Sequence, residues 1–264
     1  MREVSRNIGH KKRINRKKQL RRRIFAVISL LILLFLLFTK SSDLVSAITA
    51  HRLRANDYPE SLVALMERNP EARQFVLDYP KNKDRTEEID ISSEVSIGEF
   101  PLFLQWDERW GYETYGNDFL AVTGCGPTCL SMVTCGLTGN SEWNPYKTAS
   151  FADQSGYYVP GAGSSWDLME NGAAFLGLQV HSISPDAAEI TGALQSGMPV
   201  ICSMRPGDFT TSGHFIVLIG VDDNGKIIVH DPNSRKNSKK SWGIDTLVPQ
   251  IKGLWAYSLA STIQ

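Results

Sequence analysis

Hydrophobic and polar positions divide the chain into stretches of different character. Residues 24–38 read IFAVISLLILLFLLF, an apolar run in which Ser29 is the one polar position. Its fifteen residues, as a helix rising ~1.5 Å each, reach roughly 22 Å, short of the ~30 Å hydrocarbon core of a bilayer. Arg22 and Arg23 precede the run and Lys40 follows it. Their long stems let the charged heads reach the headgroups and cover the shortfall. The pattern predicts one transmembrane signal-anchor helix over residues 24–39.

Residues 40–95 follow as a helical stalk and linker. Leu62, Leu65 and Met66 fall at helical spacing after Pro59, and Phe75, Val76 and Tyr79 share a face after Pro70. Residues 80–95 are rich in Lys, Asp, Glu and Ser and read as an exposed linker. The stretch is a tether or a small pro-segment over an active site. From Ser96 to Gln264 the pattern is that of a folded domain. Residues 102–105 read as a short strand. Residues 126–135 read as a helix ending before Gly136, and residues 166–176 and 186–196 as two more. Residues 199–204, 214–221, 226–230 and 254–259 read as strands. Helices precede strands, which points to an α+β domain rather than a doubly wound sheet.

Charge changes the picture at the amino terminus. Formal net charge is zero, but residues 1–23 hold eleven Lys/Arg and one acid, Glu3, so a +10 tail precedes a −10 remainder. A basic tail directly before an apolar run is an orientation signal: it stays in the cytoplasm and places the body outside. A nucleic-acid role is thereby excluded for it. The competing reading of the run is a signal peptide cleaved near Val45-Ser46-Ala47, which would leave the body secreted. Nine residues, Lys40 and Asp43 among them, separate Phe38 from Ile48 and favour the uncleaved anchor. Oligomeric state is not legible.

The four cysteines are Cys125, Cys129, Cys135 and Cys202. Three of them crowd onto one expected helix, a poor disulfide framework. Gly124-Cys125-Gly126-Pro127 is a turn opening a helix, with Pro127 near the first helical position. Cys125 thus sits at a helix N-terminus, where the dipole and free N–H groups stabilise a thiolate. Gly124 and Gly126 leave room for a substrate backbone, as does Gly213 beside the histidine considered next.

A cysteine nucleophile needs a base. His214 opens an apolar strand, and Asp231 closes the strand after the Asp222-Asp223-Asn224-Gly225 turn. The two strands form a hairpin with both residues at its open end. A four-residue loop over 221–224 sets His214 directly opposite Asp231; shorter loops of the same parity offset the pair by two or four residues on one face. His230 precedes Asp231 and points to the other face. An acid beside the histidine fixes its tautomer and stabilises the imidazolium. No zinc-ligand spacing and no phosphate-binding loop is present, so neither metal nor cofactor is expected.

The ordered set Gln105-Trp-Asp107-Glu-Arg-Trp110, Gly124-Cys-Gly-Pro-Thr-Cys-Leu130, Gly213-His-Phe-Ile-Val217 and Asp231-Pro232 resembles the cysteine peptidases related to bacteriocin-processing (double-glycine) peptidases. It is most similar to their stand-alone, exported branch in Gram-positive bacteria. The resemblance covers about residue 100 to the carboxyl terminus. It implies a papain-like fold and thiol peptidase activity, with Cys125 as nucleophile, His214 as base and Asp231 as third member. Papain-like enzymes usually carry an oxyanion-hole Gln six residues before the Cys, where this chain has Phe119. Gln105 is the expected substitute, and Asn117 is the other amide in reach. The function so read is a membrane-anchored, extracytoplasmic thiol hydrolase cutting peptide bonds. Its alternatives are a cell-wall peptide endopeptidase or amidase, and an inactive anchored binding module of the same fold.

Overall fold

A computed structural model describes residues 24, 25, 27–31 and 44–260. The basic tail, residues 32–39 of the expected anchor, and residues 40–43 lie outside the described residues. Among the described residues no helix is long and apolar enough to cross a membrane; the part of the apolar run that is described, residues 24, 25 and 27–31, is helical. The chain divides into two units, Met1–Tyr58 and Pro59–Gln264. In the first, residues 44–55 are helical, and the segment turns at Asp57 with φ 57°.

The second unit opens at Pro59, not at Ser96, so residues 59–95 belong to the body. Helix Glu60–Arg68 buries Leu62, Val63, Leu65 and Met66. Asn69 caps the turn Pro70–Ala72 by accepting from the Glu71 N–H, with Pro70 in the first turn as its missing N–H allows. Helix Arg73–Leu77 buries Phe75 and Val76, and Phe75 stacks on Tyr112 with ring centroids 4.2 Å apart. Ser61 bonds Asp118 at 2.7 Å, and Arg109 bridges Glu94 and Asp107. A stretch read as tether is therefore fastened to the domain at several points. Its amphipathic pattern has the domain surface as its partner.

Helix Cys125–Thr138 lies at the centre, with Gly126 through Gly136 all buried. It does not stop before Gly136. It runs to Thr138 and ends at Gly139, whose φ of 69° closes it in the left-handed region. Gly136 stays within the helix because Phe100 fills the space its side chain would take. Residues 102–105 form no strand: 102–104 have no regular structure, and Gln105 opens a turn with its N–H on the Pro232 carbonyl. Helix Pro145–Gln154, unread in the sequence, is capped by Asn144 with Pro145 at its start. The expected helix over 166–176 is a π-turn, Leu168–Gly172, running into Ala173–Phe175. Helix Ala187–Gln195 is capped by Asp186.

The strands are β1 Thr114–Tyr115, β2 Asp118–Phe119, β3 Tyr158–Val159, β4 Gly163–Ser164, β5 Leu178–Ser182, β6 Val200–Met204, β7 His214–Val221, β8 Ile227–His230, β9 Ser241–Trp242 and β10 Ile251–Leu259. Six make one antiparallel sheet in the order β5-β10-β6-β7-β8-β9. Ile201, Phe215, Val217, Trp255 and Tyr257 belong to a core shared with the central helix. Cys202, Ile216, Leu218, Ile227, Val229 and Ala256 form the second core with helix Ala187–Gln195. A sheet apolar on both faces explains why its strands read as continuous apolar runs.

Candidate active site

Cys125 is the first residue of its helix, and Gly124 precedes it as the cap. The Cys125 N–H lies outside the intrahelical ladder, and the dipole of a fourteen-residue helix points at the sulfur. Cys125 is half-buried, whereas Cys129, Cys135 and Cys202 are buried. Burial raises the Cys129 and Cys202 thiols far above the ordinary thiol range, and pushes Cys135 up to about 12. The bare backbone on either side of Cys125 serves close packing. A side chain on Gly124 would meet Leu120, and one on Gly126 would meet the Ser164 hydroxyl at 2.5 Å. Gly213 alone faces open space, with the Met204 carbonyl 4.0 Å from where a Cβ would stand.

His214 is 8 % exposed and Asp231 1 %. His214 Nε2 donates to Asp231 Oδ1 at 2.7 Å. The Cys125 thiol also favours the charged form of this imidazole, and with Nε2 on Asp231 it is Nδ1 that is left for the sulfur. Burial works against the imidazolium. The Asp231 charge and hydrogen bond, with the nearby Cys125, outweigh it and push the His214 pKa to about 10.

The hairpin reaches this arrangement by a route different from the expected even loop. Val221 pairs with Ile227, the Asp222 N–H donates to the Lys226 carbonyl, and Gly225 turns the chain at φ 72°. That three-residue turn alone would carry Asp231 opposite Val217, on the wrong face. A β-bulge between Leu218 and Gly220 takes up one residue, so His230 pairs with Val217. Continuing that register sets Asp231 across from Ile216, two positions along the same face from His214. His230 lies on the other face, with Nδ1 bonded to the Pro101 carbonyl at 3.2 Å, and burial lowers its pKa.

Gln105 is 3 % exposed, between the two halves of the site. Its Nε2 donates to the Ala121 carbonyl at 2.7 Å, just before the cysteine turn, and its N–H holds Pro232, just after Asp231. Nε2 carries two hydrogens and only one is so used. The Oε1 is buried without a partner. Asn117 is exposed at the β1–β2 turn, and Phe119 packs edge-on against Tyr79.

Three donors converge on Asp231. Besides His214, the Asn233 N–H reaches Oδ1 at 2.9 Å and Asn237 Nδ2 reaches Oδ2 at 2.8 Å, while the Asp231 N–H bonds Ser238 Oγ at 2.9 Å. Asn237 and Ser238 escaped the sequence reading. The one signal was Ser234 followed three residues later by Asn237, a capped turn beginning directly after Asp-Pro-Asn. Among the described residues no group of three or more His, Cys, Asp or Glu side chains is placed to hold a metal.

No curated protein matches the chain. Among solved structures, the peptidase domain of Streptococcus ComA, a bi-functional ABC transporter involved in a quorum sensing pathway, is similar at 23 % identity. That match covers 52 % of this chain and 91 % of the other, with a TM-score of 0.38. The model of the Peptidase_C39 like family matches residues 97–258. That stretch is more than half of the chain and holds Gln105, Cys125, His214 and Asp231, so the chain belongs to the Peptidase_C39 like family and is a cysteine peptidase.

Proposed function

We propose that this peptidase is a membrane-anchored, extracytoplasmic thiol hydrolase that cuts peptide bonds with Cys125 as nucleophile, His214 as base and Asp231 as orienter. One observation carries the reading: a buried imidazole bonded to a buried carboxylate lies within the electrostatic reach of a thiol at a helix N-terminus. His214 takes the thiol proton, and the sulfur attacks the scissile carbonyl carbon. The carbonyl oxygen gains a negative charge, received by the Cys125 N–H and the second Nε2 hydrogen of Gln105. The imidazolium gives its proton to the leaving amine and the thioester forms. Water, deprotonated by the same imidazole, hydrolyses it and returns the thiol. Asp231 keeps Nε2–H as the donor and Nδ1 as the acceptor throughout.

Location and anchoring rest on the sequence: an apolar run preceded by a +10 tail. Peptides of the cell wall and other exported peptides are the substrates such a topology offers. The test takes the full-length chain in detergent, treated with a peptide electrophile and then offered purified cell wall and a peptide library, with products read by mass. Cys125 alone should be labelled, and labelling should stop all cleavage. Labelling spread evenly over two or more cysteines, or cleavage that survives it, rejects the assignment.

A further inference from the structure

The carboxylate that orients His214 is itself aimed from elsewhere in the chain. Asp231 lies past the end of β8, on a turn that runs into the four-residue helix Arg235–Ser238. A helix this short has no stability of its own in water, yet it carries Asn237, the donor to Asp231 Oδ2 at 2.8 Å. What fixes it comes from residues 59–77, with one further bond from Trp106. Asn69 Nδ2 donates to the Asn233 carbonyl at 2.7 Å and to the Asn233 side-chain oxygen at 2.9 Å. Trp106 Nε1 donates to the same carbonyl at 3.1 Å. Glu71 accepts the Ser234 hydroxyl at 2.6 Å and the Lys236 N–H at 3.2 Å. Ser234 Oγ in turn accepts the Asn237 N–H at 3.1 Å and so caps the short helix.

Asn69 and Glu71 are themselves fixed. The Glu71 N–H bonds Asn69 Oδ1 at 3.0 Å, and the helices on either side of this turn bury Leu62, Met66, Phe75 and Val76. A carboxylate held at one oxygen still rotates about its Cβ–Cγ bond. A second donor on Oδ2 sets its plane, so that an Oδ1 lone pair meets the imidazole N–H. We infer that Asn69, Glu71 and Asn237 are positioning residues of the hydrolysis: the segment read as a stalk grips the loop whose Asn237 aims Asp231 at His214. The inference rests on the triad reading above and adds to it the role of residues 59–77.

The test uses the full-length chain in detergent and the rate at which iodoacetamide alkylates Cys125, read by mass at pH 7 and at pH 10. Near neutrality the rate depends on an oriented imidazole; at pH 10 a thiol ionises without one. Asn69→Ala, Glu71→Ala and Asn237→Ala should each slow alkylation at pH 7 about tenfold, inside the roughly hundredfold that a 1 Å misplacement costs, and leave the pH 10 rate near that of the parent. Asn237→Asp, which keeps the shape and removes the donor, should do the same. Glu71→Gln keeps an acceptor for Ser234 and should recover most of the rate. Ser61→Ala, which removes the bond of the same segment to Asp118, should lower melting temperature without changing the ratio of the two rates. Asp231→Ala serves as reference. If it collapses the ratio and the Asn69, Glu71 and Asn237 variants do not, the inference is overturned and the triad stands. If Asp231→Ala also leaves the ratio unchanged, the triad reading fails and this inference with it.

Discussion

His214 spends Nε2 on Asp231 and leaves Nδ1 for the Cys125 thiol, and that division decides how substitutions should act. Cys125→Ala and His214→Ala should each abolish turnover, and the double variant should be little worse than either, because members of one unit are non-additive. Asp231→Ala should cost about 10²-fold in rate. Asp231→Asn keeps an oxygen for Nε2–H and should cost distinctly less; equal losses would show that the charge, not the orientation, is what matters. The raised His214 pKa has a sign that stability measurements can check. Its contribution is fully present below the unfolded value of about 6.5 and is lost as pH rises toward its folded value of about 10. The advantage of the parent over Asp231→Asn in unfolding free energy should therefore be widest near pH 6 and close by pH 10. A gap that grows with pH would contradict the assignment. Cys125, His214 and Asp231 were legible because each stands at an element boundary with a recognisable signal. Asn237 was not, since nothing in a short polar turn says which side chain faces inward.

At the scale of elements, the site depends on one irregular residue pair step. The turn Asp-Asp-Asn-Gly announced the hairpin, but its loop length alone sets Asp231 on the wrong face. The bulge beside Ile219 corrects it. Apolar alternation holds from Phe215 to Ile219, with Phe215, Val217 and Ile219 against one core and Ile216 and Leu218 against the other, and breaks only at Val221, which packs on the Ile216 side. Only Gly220, a glycine inside a strand, could have marked the irregularity. Deleting Ile219 removes the extra residue and leaves the other pairs as they are, so Asp231 should stay across from Ile216, on the His214 side. Activity should stay within about tenfold of the parent, far from the roughly 10²-fold loss expected without the orienter, while circular dichroism keeps its sheet signal. A loss of about 10²-fold or more in that deletion would show that the residue count across the bulge does not set the register. The glycines beside the nucleophile were legible as a turn but misread in purpose, because Leu120 and Ser164 come from segments whose approach only the folded chain reveals.

The whole molecule adds a question of sidedness. Sequence alone set the body at Ser96, and the family match begins at residue 97, yet the compact unit begins at Pro59. Residues 59–95 were misjudged because a half-apolar helix looks the same whether it covers its own domain or links two others. The basic tail and the apolar run speak to location instead. Each Lys or Arg near an anionic leaflet is worth roughly 1 kcal/mol, and eleven of them precede the run. Moving such a tail across the bilayer is far costlier than moving the carboxyl-terminal side, where Lys40 is the first basic residue after the run. A reporter that works only outside the cytoplasm, fused after Gln264, should be active. Reversing the bias, by exchanging the basic residues of the tail for Gln and adding Lys after position 40, should silence it. The peptidase body should be digested by protease added to spheroplasts, while a cytosolic marker survives. A body as protected as that marker would place the enzyme on the cytoplasmic side and overturn the topology, leaving the chemistry of Cys125 untouched.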